Sequence, residues 1–120
     1  MNRTEWKNKI KESCETAGTY RPFFDDVIDT LSAIMENRDS AEEQYEKNGS
    51  TPVIGYTNQA GHKNVVKNPI LVVVDQLNTT ALAYWRDLGL TPAGLKIINE
   101  NAMKKKKESG IAAALRELGG

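Results

Sequence analysis

The chain has 120 residues, of which 39% are hydrophobic and 27% charged, with 16 basic and 16 acidic side chains. This size suits one domain, and a net charge of zero argues against a protein that coats nucleic acid over its whole surface. One cysteine excludes an internal disulfide. No apolar run exceeds five residues and the first residues do not form a signal peptide, so we expect no membrane span and a cytoplasmic protein.

Charge is distributed unevenly along the chain. Residues 1–17 carry four basic and three acidic side chains, and residues 18–48 carry three and eight. Residues 49–100 carry four and three, and residues 101–120 carry five and two. The acidic middle and the basic ends predict that a bound anion contacts the first helix or the tail.

The first predicted helix occupies residues 1–18. We expect it to start near Thr4, which is a good capping residue, and to end at Gly18 in a left-handed turn. One apolar stripe is formed by residues at helical spacing, namely Trp6, Ile10, Cys14 and Ala17.

The second predicted helix occupies residues 22–48. Pro22 suits the first helical position, and Asp25 and Asp26 suit the first turn. Its apolar face consists of Phe24, Val27, Ile28, Leu31, Ile34 and Met35. Its second half is polar on nearly every side, so we expect that half to project from the core or to pack weakly.

The segment between residues 49 and 67 contains many helix-breaking Gly, Asn and Pro residues. Two pieces between them, Val53–Tyr56 and His62–Val66, predict a short β-hairpin over residues 53–66. A two-stranded hairpin is marginal in water. We therefore expect it to lean on a helix or on a neighbouring subunit.

The third predicted helix occupies residues 69–88. Asn68 is placed to cap it, Pro69 takes the first position, and Gly89 ends it. Its apolar residues cover far more than one stripe, so it needs two packing partners, and the second helix supplies only one. A buried strand at Leu71–Val74 is the alternative, because Val favours strands.

A short C-terminal helix is predicted over residues 91–101, with Pro92 in its first position, followed by a flexible basic tail over residues 101–120. The predicted fold is mainly α. It is an antiparallel hairpin of long helices with an N-terminal helix, a short β-hairpin between the long helices and a short C-terminal helix. Residues 1–100 form the helical domain.

No arrangement of residues typical of catalysis is present. Cys14 lies on an apolar stripe and His62 in a loop, so neither predicts a nucleophile or a metal site. Gly55–Lys63 has the wrong spacing for a phosphate loop. Carboxylates at a helix start (Asp25–Asp29) and on a solvated face (Glu42–Glu46) need no metal. We predict no enzyme, no metal and no cofactor.

Candidate DNA contacts lie in both basic ends. In the first helix, Arg3, Lys7 and Lys11 recur at i, i+4 and i+8, with Lys9 nearby. Such cations can contact phosphates without reading sequence. An ordinary solvated face is the alternative, since three glutamates of the same helix dilute the positive charge. The tail contributes Lys104, Lys105, Lys106 and Lys107.

The order of the elements resembles the phage terminase small subunit family. A Trp-containing helix ending at Gly18 precedes a long acidic helix and a Gly-rich connection that ends in Asn68-Pro69. A long apolar helix and the run Leu88-Gly-Leu-Thr-Pro92 follow. Each motif alone only marks a helix end, so the specificity of the resemblance lies in their order over residues 4–100.

The resemblance implies a role in viral DNA packaging. Small terminases form rings, hold the viral genome and present it to the large subunit, which carries the ATPase and the nuclease. The implied partners are double-stranded viral DNA, the large terminase subunit and further copies of this chain, in the cytoplasm of the bacterial host and without a membrane. By the same analogy the basic residues above become DNA contacts, and the tail after Met103 docks the large subunit.

The resemblance also suggests what covers the wide apolar surface of the third helix. One face would pack on the second helix and another on the neighbouring subunit of a head-to-tail ring. The candidate interface residues are Ile70, Val73, Val74, Leu77, Ala81 and Tyr84.

Two other functions are compatible with the residues alone. One is a DNA-binding transcriptional regulator, a monomer or dimer that reads DNA with the first helix and the helix starting at Thr91. The other is a helical interaction module with no affinity for nucleic acid and no enzymatic activity.

Overall fold

The computed structural model describes residues 1–119, and the side chains of all of these except Ser109 and Gly119. It is mainly helical, with one two-stranded antiparallel sheet between the long helices. The elements in chain order are α1 (Arg3–Ala17), a 3₁₀ turn (Pro22–Phe24), α2 (Asp25–Lys47), β1 (Val53–Thr57), β2 (Lys63–Lys67), α3 (Pro69–Asp87) and α4 (Pro92–Gly119). The described chain measures 87 × 28 × 19 Å, because α4 extends beyond the other helices.

The ends of α1 and α2 differ slightly from the prediction. Asn2, not Thr4, caps α1, since its side chain accepts a hydrogen bond from the backbone N–H of Glu5 at 2.8 Å. Gly18 ends the helix as predicted, with φ of 73°. Pro22 starts a 3₁₀ turn, and the α-helical hydrogen bonding of α2 begins at Asp25.

The core forms where α1 and α3 pack on α2. Its buried apolar residues are Trp6, Ile10, Cys14, Ile28, Leu31, Met35, Ala81 and Leu88. The predicted stripe of α1 is confirmed except at Ala17, which is exposed. The predicted apolar face of α2 is confirmed, with Phe24, Val27 and Ile34 half-buried around the same core.

Trp6 joins the three helices of this core. Its indole Nε1 donates a hydrogen bond of 2.7 Å to Asp39 Oδ2 on α2. Its ring meets Trp85 of α3 edge-on, with centroids 6.5 Å apart. Arg38 lies 5.7 Å from the indole and also donates to Asp39. Partial burial alone would raise the pKa of Asp39, but the hydrogen bonds from Trp6, Arg38 and the Met1 amine outweigh it and hold that pKa below its ordinary value.

The predicted β-hairpin is confirmed, with Val53 opposite Lys67 and Thr57 opposite Lys63. Asn58 shapes its turn, because its side chain accepts the backbone N–H groups of Ala60 and His62. Every residue of both strands is exposed. In the single chain, the hairpin therefore does not gain burial by leaning on a helix.

The predicted start of α3 is also confirmed. Asn68 is buried, and its side chain accepts the N–H of Ile70 at 3.1 Å and donates to Thr51 O at 3.0 Å. Asn68 therefore caps the helix and ties it to the chain entering the hairpin. The alternative of a strand at Leu71–Val74 is wrong, because this segment lies within the first two turns of α3.

The prediction of a short C-terminal helix is wrong. α4 continues from Pro92 to Gly119 and has 28 residues. The sequence after Pro92 holds no further proline and is rich in Ala, Lys, Leu and Glu, which favour helix. One interior Gly at 110 costs only about 1 kcal/mol relative to Ala, too little to stop the helix. All described side chains from Asn99 to Leu118 are exposed.

Two glycines permit the close turn from α3 into α4. Gly89 has φ of +74°, and a Cβ there would lie 2.6 Å from Ile98 Cδ1. A Cβ at Gly94 would collide with the backbone carbonyl of Arg86. Thr91 caps α4, since its hydroxyl accepts the N–H of Gly94 at 3.1 Å. The run Leu88-Gly-Leu-Thr-Pro92 and Gly94 therefore fix the direction of α4 relative to α3.

Gly94→Ala should destabilise the fold, because a backbone carbonyl cannot move aside for the added methyl group. We expect the free energy of unfolding in urea to fall by about 1–3 kcal/mol. The matched control is Gly110→Ala, whose Cβ would meet nothing within 4 Å. That variant should keep the stability or gain up to about 1 kcal/mol. Equal effects of the two substitutions, at equal protein concentration, would contradict the close crossing.

Asp39→Ala should lower the free energy of unfolding by about 1–3 kcal/mol at pH 7, because the buried indole N–H of Trp6 loses its acceptor. The pKa of Asp39 is lowered in the folded chain, so the ionised carboxylate stabilises the fold. This stabilisation is fully present above the unfolded pKa near 4 and is lost as pH falls through the folded pKa. The unmodified chain should thus lose more stability than Asp39→Ala between pH 5 and pH 2. Glu46→Ala, exposed on the same helix, is the control and should change little.

Candidate nucleic-acid and assembly surfaces

Part of the basic stripe of α1 pairs with the acidic helix α2. Arg3 contacts Asp29 through two hydrogen bonds, Nε to Oδ1 at 3.2 Å and Nη2 to Oδ2 at 2.7 Å. Lys7 Nζ lies 4.0 Å from the same carboxylate. All three side chains are 42–49% exposed, so the pairing contributes at most about 1 kcal/mol to stability. It nevertheless cancels part of the positive charge that this end of α1 presents.

The other predicted cations of α1 lie over aromatic rings. Lys9 Nζ is 5.0 Å from the centroid of a Trp6 ring, and Lys11 Nζ is 5.1 Å from that of Tyr20. The Tyr20 hydroxyl donates to Asp25 at 2.7 Å, and this hydrogen bond is the main reason that the pKa of Tyr20 is raised. Rings attract a cation without cancelling its charge. Lys9 and Lys11, both exposed, therefore keep their positive field.

One lysine of the tail approaches the connection between α1 and α2. Arg21 and Phe23 of this connection and Lys105 of α4 line one groove of about 310 Å³. Phe23 is 75% exposed and packs edge-on against Phe24, with centroids 4.8 Å apart. Arg21 and Phe23 were not among the predicted site residues. Their signal was a cation next to an aromatic pair in a connection, but only the fold brings α4 beside them.

The remaining tail lysines, Lys104, Lys106 and Lys107, are exposed on α4. Consecutive helical residues point in different directions, so the run surrounds the helix and forms no single face. The structure thus brings one of the four predicted tail contacts to the groove and leaves the others around α4.

The predicted interface residues of α3 differ in burial. Val74 is 9% exposed and Ala81 3%, whereas Val73 is 46% exposed. Ile70, Leu77 and Tyr84 are half-buried. Five exposed residues of α3 share one side at helical spacing, and we call them the α3 outer face: Val72, Val73, Gln76, Thr79 and Thr80. Val72 was not among the predicted interface residues, because periodicity alone does not show which stripe of an apolar helix meets its neighbour.

The hairpin presents apolar residues on both faces. Val53 and Val65 share one face with Lys63 and Lys67 and are 54% and 73% exposed. We call this the outer hairpin face. Gly55 stands opposite Val65 and leaves it without a side chain to pack on. The other face carries Ile54, Tyr56 and Val66, which are 37%, 53% and 38% exposed. The outer hairpin face thus holds the most exposed valines.

The cysteine and the histidine lie in different environments. Cys14 is fully buried, and burial is the main cause of its raised pKa; the Thr19 hydroxyl opposes this rise and Glu15 adds to it. His62 is exposed in the hairpin turn. Among residues 1–119, His, Cys, Asp and Glu side chains form no group of three able to hold a metal ion. Over the same residues, no helix is both apolar enough and long enough to cross a bilayer.

These elements define a mainly helical protein with a two-stranded sheet set between its long helices. The family described as phage terminase, small subunit, matches residues 2–108, which is most of the chain. The chain therefore belongs to the phage terminase small subunit family, whose role is in phage genome packaging. No curated protein and no solved structure matches it significantly. The match confirms the resemblance and extends it through the lysine run at 104–107.

Proposed function

We propose that this chain is a DNA-packaging adaptor of a phage or prophage, acting in the host cytoplasm. Copies of the chain assemble head to tail into a ring, bind double-stranded viral DNA and present it to the large terminase subunit. The observation that carries the proposal is the apolar surface left uncovered on α3 and on the hairpin in a chain of this family.

The small size of the core supports assembly. A chain this short buries only about two-thirds of its unfolded surface, so contacts between copies add needed stability. The uncovered surfaces lie on two different elements, the α3 outer face and the hairpin. Contact between unlike surfaces is heterologous, and such contacts close into rings when the rotation permits. Of the predicted interface residues, Val73 is exposed and can contact a neighbouring copy, whereas Val74 and Ala81 are buried within the single chain.

DNA binding is supported by where the cations lie. Lys9 and Lys11 are exposed on α1, and Arg21 and Lys105 line a groove next to Tyr20, the ring over which Lys11 lies. Cations placed in this way bind phosphates and release counterions from the duplex. Arg3 and Lys7 extend the same surface, though Asp29 weakens them. The lysines at 104–107 add a field that attracts DNA without fixing its position.

The distal part of α4 is the segment proposed to bind the large subunit. Ile111, Leu115 and Leu118 recur at i, i+4 and i+7 and are 61%, 63% and 86% exposed. Residues spaced in this way form one stripe, which is how an amphipathic helix enters a groove of a partner protein.

The mass of the unmodified assembly tests the first part of the proposal. Light scattering on a sizing column should give one species of several chains, with a mass that stays constant across micromolar concentrations. A monomer or dimer over that range would overturn the ring and would favour a DNA-binding regulator.

Opposite charge changes test the DNA surface. Lys11→Glu should weaken binding to duplex DNA and reduce the slope of log affinity against log salt by about 1, because a phosphate contact is lost. Asp29→Asn should strengthen binding, because it frees Arg3 and Lys7 from their carboxylate. Fluorescence anisotropy with labelled duplex measures both effects.

Lys47→Glu is the matched control for these DNA measurements, since Lys47 is exposed at the far end of α2. It should leave affinity nearly unchanged. If Lys11→Glu has no larger effect than this control, or if Asp29→Asn binds no better than the unmodified chain, α1 does not contact DNA.

A further inference from the structure

We infer that the outer hairpin face of one copy docks on the α3 outer face of the next copy. This inference rests on the proposed assembly and names the two surfaces that would meet. The outer hairpin face is defined by Val53, Gly55, Thr57, Lys63, Val65 and Lys67.

The hairpin requires a partner for its own stability. Two strands without a packed face are marginal in water. Here all ten strand residues are exposed, although the fold orders both the turn and the chain entering α3. Apolar residues on a surface of this kind gain most when another surface covers them. Val65, the most exposed of them at 73%, is the natural centre of the contact.

Cyclic symmetry indicates which part of the next copy is within reach. Equivalent residues in a ring lie at equal height along its axis. The base of the hairpin joins α3 through Asn68, so this base is close in height to the first turns of α3 in the neighbouring copy. Those turns carry Val72 and Val73, which are 42% and 46% exposed. Strands of five residues extend about 17 Å, further than the roughly 8–10 Å between packed helices.

The shape of the α3 outer face suits this docking. Asp75, Gln76, Thr79 and Thr80 line a shallow groove of about 480 Å³ next to the two valines. Side chains of medium size there let a strand approach the helix. Val65 would then pack on Val72 and Val73 beside this polar groove, since apolar side chains gain when they cover one another.

The charges of the two surfaces are complementary. The hairpin segment 51–67 contains Lys63 and Lys67 and no acidic residue, whereas Asp75 is the only charged residue between positions 69 and 85. The Asp75 side chain is 67% exposed and already accepts from Lys67 of its own chain at 3.2 Å. A carboxylate has room for a second donor. Lys63 of the adjacent copy is the donor we assign to it.

Two isosteric substitutions test the apolar part of the contact. Val65→Thr and Val72→Thr keep a β-branched shape, and both sites are exposed in the single chain, so the fold should remain intact. Each should raise the concentration at which the assembly dissociates by roughly tenfold, because a hydroxyl replaces a methyl group that docking buries. Ile97→Thr, at a residue 52% exposed on α4, is the control and should not change the mass.

Charge exchange tests which surfaces meet. Lys63→Glu and Asp75→Lys should each assemble less well alone, because every contact then joins like charges. The double variant Lys63→Glu/Asp75→Lys should regain assembly, because every contact then joins the two exchanged charges in a ring of any size. Asp87→Lys, the same charge change at the far end of α3, should assemble normally alone. Sizing-column light scattering at low salt measures each sample.

The outcomes separate this inference from the proposed function. If the unmodified chain does not assemble, the ring proposal fails. If it assembles and Val65→Thr, Val72→Thr and the charge variants assemble equally well, only the docking is overturned. Loss of DNA affinity in Val65→Thr with an unchanged mass would also overturn it and would make the hairpin a DNA contact. Failure of the double variant to recover would exclude the pairing of Lys63 with Asp75.

Discussion

The packing of α1 against the long helices depends on Trp6. Its ring is buried among the three helices, its edge contact reaches Trp85, and its N–H is satisfied by Asp39. A buried indole needs both an apolar surrounding and an acceptor, and here α2 supplies the acceptor and α3 supplies part of the surrounding. This double demand fixes how α1 lies along the helical hairpin. The direction of every other side chain of α1 follows from it.

That orientation explains the electrostatics of the basic end. With Trp6 facing the core, Arg3 and Lys7 turn toward Asp29 of α2, whereas Lys9 and Lys11 lie over aromatic rings. A stripe that looks uniform in sequence is therefore divided into a partly neutralised half and a half that keeps its charge. Of this pair, Lys11 lies over Tyr20, next to the connection that shares a groove with Lys105, whereas Lys9 lies over Trp6.

The distribution of apolar residues limits what the single chain can satisfy. α2 covers one side of α3, and α1 covers the rest of the shared core, so Val72 and Val73 stay exposed. The apolar residues on both faces of the hairpin are exposed as well. Since the hydrophobic effect scales with the area removed from water, the assembly proposed above would supply the missing burial without adding a new element to the fold. A lean core is consistent with the proposed multimer for this reason.

Local chemistry let the sequence determine the secondary structure in outline. Asn68-Pro69 starts α3, Thr91-Pro92 starts α4, and Gly18 and Gly89 end helices, because caps and left-handed turns depend on neighbouring residues only. The length of α4 was underestimated, since a tract of good helix formers tolerates Gly110. Tertiary structure alone decided which stripe of α3 is buried, which cations Asp29 neutralises, and that Lys105 and Arg21 line one groove. These features depend on residues far apart in the chain, and periodicity within one segment carries no information about them.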